Sequence, residues 1–293
     1  MSKARILVQL DPDRHASVFD AVVAVDAGVD QLLQYASVEP TSVQSLVHGA
    51  MFTRGPGDLK HTAIFIGGNQ VSAAEQLLEQ VRKTFFGPMR VSVMVDPNGA
   101  NTTAAAAVLA AARHTPLKGA TALVLAGTGP VGQRAARLLA GQGATVRVAS
   151  RDLARAQQAC TAIGERIGSD AILHAVATSS PESTGEALSG ASIVIAAGAA
   201  GVELLNEATR QQATSLRVAI DLNAVPPVGI AGIGVMDTAK EDSGAVCYGA
   251  IGVGGTKMKI HKAALQALFT SNTLVLDAEE IFQLGWELEH PSG

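Results

Sequence analysis

The stretch Thr121–Arg151, TALVLAGTGPVGQRAARLLAGQGATVRVASR, carries residues suited to holding a phosphate ester with backbone alone. Gly127, Gly129 and Gly132 have the G-x-G-x-x-G spacing. A short β-rich run, TALVLA, precedes them and an amphipathic helical pattern follows. In that context the first glycine serves the tight turn, the second lets backbone approach a pyrophosphate, and the third allows helix-on-strand packing. The following helix aims its first N–H groups at the phosphates. Gly127, Thr128, Gly129, Pro130, Val131 and Gly132 are therefore expected to bind a dinucleotide.

The next strand, Thr145–Ala149, ends where such a fold reads the ribose. An Asp or Glu there bonds the ribose hydroxyls of NAD. This chain has Ser150 and Arg151 instead, with Arg155 one helical turn on. A hydroxyl with one or two guanidinium groups suits the 2′-phosphate of NADP, because Arg binds phosphate bidentately. Asp152 keeps NAD open, since a rotated loop would bring its carboxylate to the ribose. Open α/β sheets bind ligands beyond the carboxyl ends of their strands. Turns at Asp96–Thr103, Gly198–Gly201, Asp221–Pro227 and Gly249–Lys257 all follow strand patterns. The last three are expected to rim the nicotinamide half, which adds Ala197, Gly198 and Asn223 to the cofactor set. Asn223 either holds the carboxamide or simply makes its turn.

Positioning these residues requires alternating strands and helices. Strand patterns lie at Arg5–Leu10, Gln31–Val38, Thr62–Ile66, Val91–Val95, Ala171–Ala177, Ser192–Ala197 and Leu216–Leu222. Helical patterns lie at Ser17–Ala27, Val71–Phe86, Asp152–Ile167 and Ala278–Glu289, with another starting near Thr256. Asn101 is expected to cap an alanine-rich helix running to Arg113. This alternation implies parallel sheets with helices on both faces. The expected architecture is two α/β domains with the active-site cleft between them. Residues 1–100 form the first domain. Residues 101–293 form a Rossmann-type doubly wound parallel sheet.

The whole chain narrows the function. Its 293 residues are 47% hydrophobic and 16% charged, ample for packed cores and too apolar for disorder. A net charge of −4 with no basic run leaves no footprint for nucleic acid. The apolar stretches are too short to span a bilayer, and MSKARILVQL lacks a signal-peptide core. Cys160 and Cys247 have no partner spacing and read as reduced cytoplasmic thiols. No histidine or cysteine cluster suggests a metal. A proton-relay set is also not evident. Hydride transfer needs none where the donor carbon becomes a cation stabilised by adjacent nitrogens, and positioning then dominates.

Several segments together carry a family likeness: SVFD (Ser17–Asp20), FTRG (Phe52–Gly55), FFGP (Phe85–Pro88), NGANTTAAA (Asn98–Ala106), AGTGPVG (Ala126–Gly132), NAVPPVGIAGI (Asn223–Ile233) and GAIGVGGTKMKIH (Gly249–His261). Over nearly its full length the chain resembles the NADP-dependent methylene-tetrahydromethanopterin dehydrogenases of methylotrophic bacteria. The resemblance implies reversible hydride transfer between methylene-tetrahydromethanopterin and NADP, giving the methenyl cation, with NAD or methylene-tetrahydrofolate accepted by some members. It also implies an N-terminal pterin-side domain, a closing cleft and a homo-oligomer, trimeric or hexameric. It makes Phe19, Asp20, Thr102 and Thr103 pterin contacts. The bland alternatives are helix-start and capping roles. Lys257, after a glycine pair, is the expected catalytic residue, orienting the pterin; the alternative is a solvated lysine. An ammonium beside a forming cation would raise the barrier. Lys257 must therefore bond away from the new charge or be neutral through burial.

Overall fold

The computed structural model describes residues 3–168 and 170–291. In the first part of the chain the elements run β1 (Ile6–Leu10), α1 (Val18–Asp26), β2 (Gln31–Tyr35), α2 (Val43–Phe52), β3 (Thr62–Ile66), α3 (Val71–Thr84), β4 (Ser92–Val95) and α4 (Ala100–Ala112). Then follow β5 (Thr121–Leu125), α5 (Pro130–Gly141), β6 (Thr145–Ser150), α6 (Leu153–Ile167), β7 (Ile172–Ala177), α7 (Pro181–Leu188), β8 (Ile193–Ala196), α8 (Glu207–Gln212) and β9 (Val218–Asp221). The last are β10 (Lys240–Asp242), β11 (Ala245–Tyr248), α9 (Ala250–Ala267), β12 (Val275–Leu276) and α10 (Ala278–Glu289). None of the described helices is long and apolar enough to cross a membrane.

The chain divides into two compact units. One holds the residues up to Thr102 together with those from Met258 onward, and the other holds Thr103–Lys257. The first unit contains a parallel sheet of order β12-β4-β3-β1-β2. Its strand order is that of a flavodoxin-like fold, with the order reversing between β1 and β3. One face of the sheet, with Val8, Leu10, Ile64, Ile66, Val93 and Val95, packs on Val43, Val47, Met51, Leu77 and Val81 of α2 and α3. The register of α3 explains its placement. Ala74, Leu77, Leu78 and Val81 recur on one face and are buried. The C-terminal segment is a difference from the sequence pattern, which assigns it to the nucleotide-binding half. Here β12 pairs with β4, and Ser92 donates to the Ser271 carbonyl (2.8 Å). A two-residue strand carries no periodic signal, so only the pairing reveals its partner.

The second unit contains a sheet of order β10-β11-β9-β8-β5-β6-β7. From β7 to β11 the strands are parallel and follow the 3-2-1-4-5-6 order of a Rossmann fold. Only β10 is antiparallel, added at the edge beside β11. Leu123, Leu125, Val194, Ala196, Ala219, Ile230 and Cys247 form one core layer.

Two local expectations are corrected. Asn101 does not cap α4; it lies inside the helix, and the Asp96 carboxylate accepts from the N–H groups of Asn101 (2.8 Å) and Thr102 (3.1 Å). The helix expected to start near Thr256 begins at Ala250, so Gly252, Gly254 and Gly255 are helical. Gly249 and Gly252 are forced by packing, because a Cβ on either would strike backbone of Gly234, Val235 or Asp237. Gly254 and Gly255 meet nothing.

A buried ion pair secures the β10–β11 hairpin. Arg210 is 2% exposed and its Nη2 lies 2.7 Å from Asp242 Oδ2. This bond holds the Asp242 carboxyl below the usual aspartate range. Its stabilisation is thus present above the ordinary carboxylate pKa of about 3.9 and is lost as pH falls through the lower folded value. Asp242→Ala leaves a buried guanidinium uncompensated and is expected to cost about 3 kcal/mol at neutral pH. Urea titrations at pH 7 and in acid check this. The wild type should lose its advantage in acid, and equal midpoints at pH 7 would exclude the pairing.

Candidate functional site

The glycine corner lies between β5 and α5, at the point in the second unit where the strand order reverses. Ala126, at the strand end, holds a left-handed backbone (φ 51°), and the Gly127 N–H donates to the Ala149 carbonyl (2.8 Å). The corner thus rests on the neighbouring strand. A Cβ on Gly127 would lie 2.8 Å from Val148 Cγ1 and 2.9 Å from the Val124 carbonyl oxygen. One on Gly132 would lie 2.7 Å from the Ala126 oxygen. These two glycines are required by the protein's own packing. Gly129 is different: its Cβ would meet Ala126 and Ala197 oxygens only at 3.4 and 3.7 Å, ordinary contact. The chain itself does not demand glycine there, whereas a pyrophosphate approaching the backbone does.

The N-terminus of α5 fits that reading. Gly129 is its N-cap, Pro130 occupies its first turn, and no side chain caps it. Its forward N–H groups are therefore available to an anion. Gln133 Nε2 donates to the Thr128 carbonyl (2.7 Å) and fixes the turn from inside the helix. Val131 is half-buried behind it. Ala197, at the end of β8, donates its N–H to the Leu125 carbonyl (3.1 Å). Gly198 follows; a Cβ there would meet Leu204 Cδ1 at 2.7 Å.

The ribose end is equally ordered. Ser150 is 9% exposed, and its Oγ accepts from the Asp152 N–H (3.2 Å). Asp152 is the N-cap of α6, and its carboxylate accepts from the N–H groups of Ala154 (2.9 Å) and Arg155 (3.4 Å). The acid that follows Ser150 and Arg151 is thus engaged with its own helix. Arg151 and Arg155 are exposed. An open cavity of about 480 Å³ lies beside Thr128, Gly129, Gln133 and Arg155. It joins the glycine corner to the face of α6.

Asn223 is 5% exposed and serves its loop: Nδ2 donates to the Pro227 carbonyl (3.1 Å), and Oδ1 accepts from the Val225 N–H (2.9 Å). Its neighbour Asp221 is buried, accepting from Asn223 N–H (3.0 Å) and Ile230 N–H (3.0 Å). Burial pushes this carboxyl up, and the backbone donors partly offset that. Lys257 lies inside α9, about two turns from its start, and is half-buried. Its neighbour Thr256 accepts from Arg113 Nη2 (2.9 Å). Lys259 is exposed.

In the first unit, Phe19 and Asp20 sit in the first turn of α1, beyond the carboxyl end of β1 and next to the switch between β1 and β3. Ser17 caps the helix, its Oγ accepting from the Asp20 N–H (3.2 Å). A Cβ on Gly67, at the end of β3, would lie 3.3 Å from Asp20 Oδ2 and 3.5 Å from Asp11 Oδ2. Asp20 and Asp11 therefore converge on one glycine. Phe19 is 53% exposed and neighbours His261 (6.4 Å between ring centroids), which stacks on Phe65 (5.8 Å). Thr102 is fully buried and donates its hydroxyl to Asp96 (2.6 Å), which occupies it within the first unit. Thr103 retains accessible surface. Sequence reasoning did not single out Asp11 or His261. Asp11 shares its signal with Asp96, an Asp-Pro pair directly after a strand. Burial raises the Asp11 carboxyl, while N–H groups of Asp13 (2.9 Å) and Ser17 (3.0 Å) hold it.

Residues 18–98 match the family of methylene-tetrahydromethanopterin dehydrogenase N-terminal domains, and residues 115–230 match an NAD(P)-binding family. The chain is 46% identical over 290 residues to the bifunctional protein MdtA of Methylorubrum extorquens, covering 98% of this chain and all of that one. It is 36% identical to an NAD(P)-dependent methylenetetrahydromethanopterin dehydrogenase of the same organism, covering 97% and 98%. Among solved structures, shikimate 5-dehydrogenase from Listeria monocytogenes shares the fold, with a TM-score of 0.52 at 14% identity, covering 96% of each chain. With both domain families matched in order and kinship along nearly its whole length, this chain belongs to the methylene-tetrahydromethanopterin dehydrogenase family.

Proposed function

We propose that this protein transfers hydride reversibly from methylene-tetrahydromethanopterin to NADP, leaving the methenyl cation, in cytoplasmic one-carbon oxidation. The observation that carries the reading is the glycine corner. Two of its glycines are forced by packing, while a Cβ on the third would make only ordinary contacts, which fits close approach of a ligand to the backbone there. NADP bound there supplies the hydride acceptor. Gly129 and the α5 N-terminus hold the pyrophosphate, with Ser150, Arg151 and Arg155 toward the 2′-phosphate. Asp152 is occupied as a cap, which favours NADP over NAD. Phe19 and Asp20 receive the pterin: the ring gives an apolar face, and the carboxylate accepts ring N–H donors. Thr103 and Lys257 complete the substrate contacts, with Lys257 bonded away from the new cation. Gly254 and Gly255 precede Lys257 inside a helix without a packing reason, consistent with close approach of a ligand. The protein works as a homo-oligomer.

Steady-state reduction followed at 340 nm, with methylene-tetrahydromethanopterin or methylene-tetrahydrofolate and with NADP or NAD, tests the reading directly. Turnover is expected with the methanopterin carrier and NADP, and absence of turnover with both carriers would remove the dehydrogenase assignment. Gly129→Ala should fold with an unchanged melting temperature and lose NADP affinity by about tenfold, on the order of 1.4 kcal/mol. Lost stability with intact affinity would reverse the argument. The double variant Arg151→Ala, Arg155→Ala should raise the Kd of NADP by tenfold or more, about 1.4 kcal/mol, and leave that of NAD nearly unchanged. Equal losses for both cofactors would place the arginines away from the 2′-phosphate. Lys257→Ala should lower kcat about tenfold, roughly 1.4 kcal/mol of barrier. Wild-type turnover would take it out of the site.

A further inference from the structure

Three rings are linked in series near the carboxyl end of β3. Phe65, in that strand, is buried. His261, in α9, is also buried and stacks on it, with ring centroids 5.8 Å apart and an interplanar angle of 23°. Phe19, in the first turn of α1, comes next, 6.4 Å from the His261 ring and tilted by 41°. Only this last ring is exposed. His261 thus joins a core ring to a surface ring. The series lies at the ligand end of the unit. A Cβ on Gly67 would meet Phe65 Cε1 at 3.2 Å and Asp20 Oδ2 at 3.3 Å. Gly67 follows β3 beside the β1–β3 switch, where such sheets receive ligands.

The backbone under Phe19 is fixed by other contacts. The Asp11 carboxylate accepts from Ser17 N–H (3.0 Å), and Ser17 Oγ accepts from Asp20 N–H (3.2 Å). Val23 and Ala24 bury the middle of α1. At its far end Asp26 pairs with Lys262, the residue after His261 (2.9 Å). None of these bonds sets the plane of the Phe19 ring. An exposed phenyl group has several staggered rotamers open to it. A flat, close-packed neighbour selects among them, because ring pairs prefer particular tilts. An aliphatic group of similar volume fills the same gap without setting a plane. Imidazole also costs more to bury than such a group, since its polar atoms leave water. Filling alone does not account for His261.

We propose that His261 is a positioning residue for the pterin: it sets the tilt of the Phe19 ring, on which the flat face of the pterin lies. It acts through Phe19 and not on the reacting atoms. A stacking platform holds substrate and transition state alike, so its disturbance appears in KM and not in kcat. This rests on the reading above that Phe19 receives the pterin.

Steady-state kinetics of the full chain with methylene-tetrahydromethanopterin and NADP test it, in the wild type, Phe19→Ala, His261→Leu and the double variant. His261→Leu keeps volume and loses the flat face, so its melting temperature should stay near that of the wild type. Phe19→Ala should raise the KM of the pterin about tenfold. His261→Leu should raise it about fivefold, with kcat and the KM of NADP unchanged. The double variant should match Phe19→Ala alone, because no ring is left to position. His261→Gln, which also lacks a flat ring, should repeat the shift and takes the place of His261→Leu if that variant does not fold. A pterin KM that stays at the wild-type value in the His261 variants would overturn the inference. So would a matching rise in the KM of NADP, a fall in kcat, or effects that multiply in the double variant. With Phe19→Ala still impaired, each of these leaves the pterin reading standing. A wild-type KM in Phe19→Ala would remove the pterin from this ring and the inference with it.

Discussion

Three buried aspartates at strand ends hold the loops that follow β1, β4 and β9. Asp11 follows β1, Asp96 follows β4 and Asp221 ends β9, each about 1% exposed or less. Burying a carboxylate is costly unless hydrogen bonds replace its water. Each of these is met by N–H groups of the segment it precedes: Asp13 and Ser17, Asn101 and Thr102, Asn223 and Ile230. Moving any of these loops would break the hydrogen bonds that stand in for the carboxyl group's water. That constraint fixes where Phe19, Asp20, Thr103 and Asn223 begin.

The nucleotide corner uses a complementary device, the removal of atoms. Gly127 and Gly132 let a strand, a turn and a helix approach at distances a Cβ would forbid. The same tightness draws the α5 N-terminus up to the strand end, where its dipole and free N–H groups favour an anion. Around it, Asp152 turns one carboxylate oxygen to cap α6, and Arg151 and Arg155 stand exposed beside it.

Much of the fold was legible because its segments have strong local signals. The strand at Thr62–Ile66 and the last helix at Ala278–Glu289 agree with the sequence pattern residue for residue, because an unbroken apolar run and an Asp277–Glu280 capping box mark them. The helix α9 was legible only in its second half. Gly249, Gly252, Gly254 and Gly255 argue against a helix by propensity, and tertiary contact with the loop ending at Asp237 overrides it. The strands β10 and β12 were invisible for a related reason: at three and two residues they exist only by pairing.

The sequence by itself determined the strand–glycine–helix corner, the absence of a ribose acid at Ser150 and the family likeness, because each is a matter of residue type at fixed spacing. Only the tertiary structure decided that the C-terminal strand β12 joins the first sheet beside β4, and that Asp11, Asp20 and His261 neighbour Gly67 and Phe19. Those facts depend on which surfaces meet across segments far apart in the chain. Local spacing carries no record of them, since burial and hydrogen bonding are properties of the packed partner and not of the residue alone.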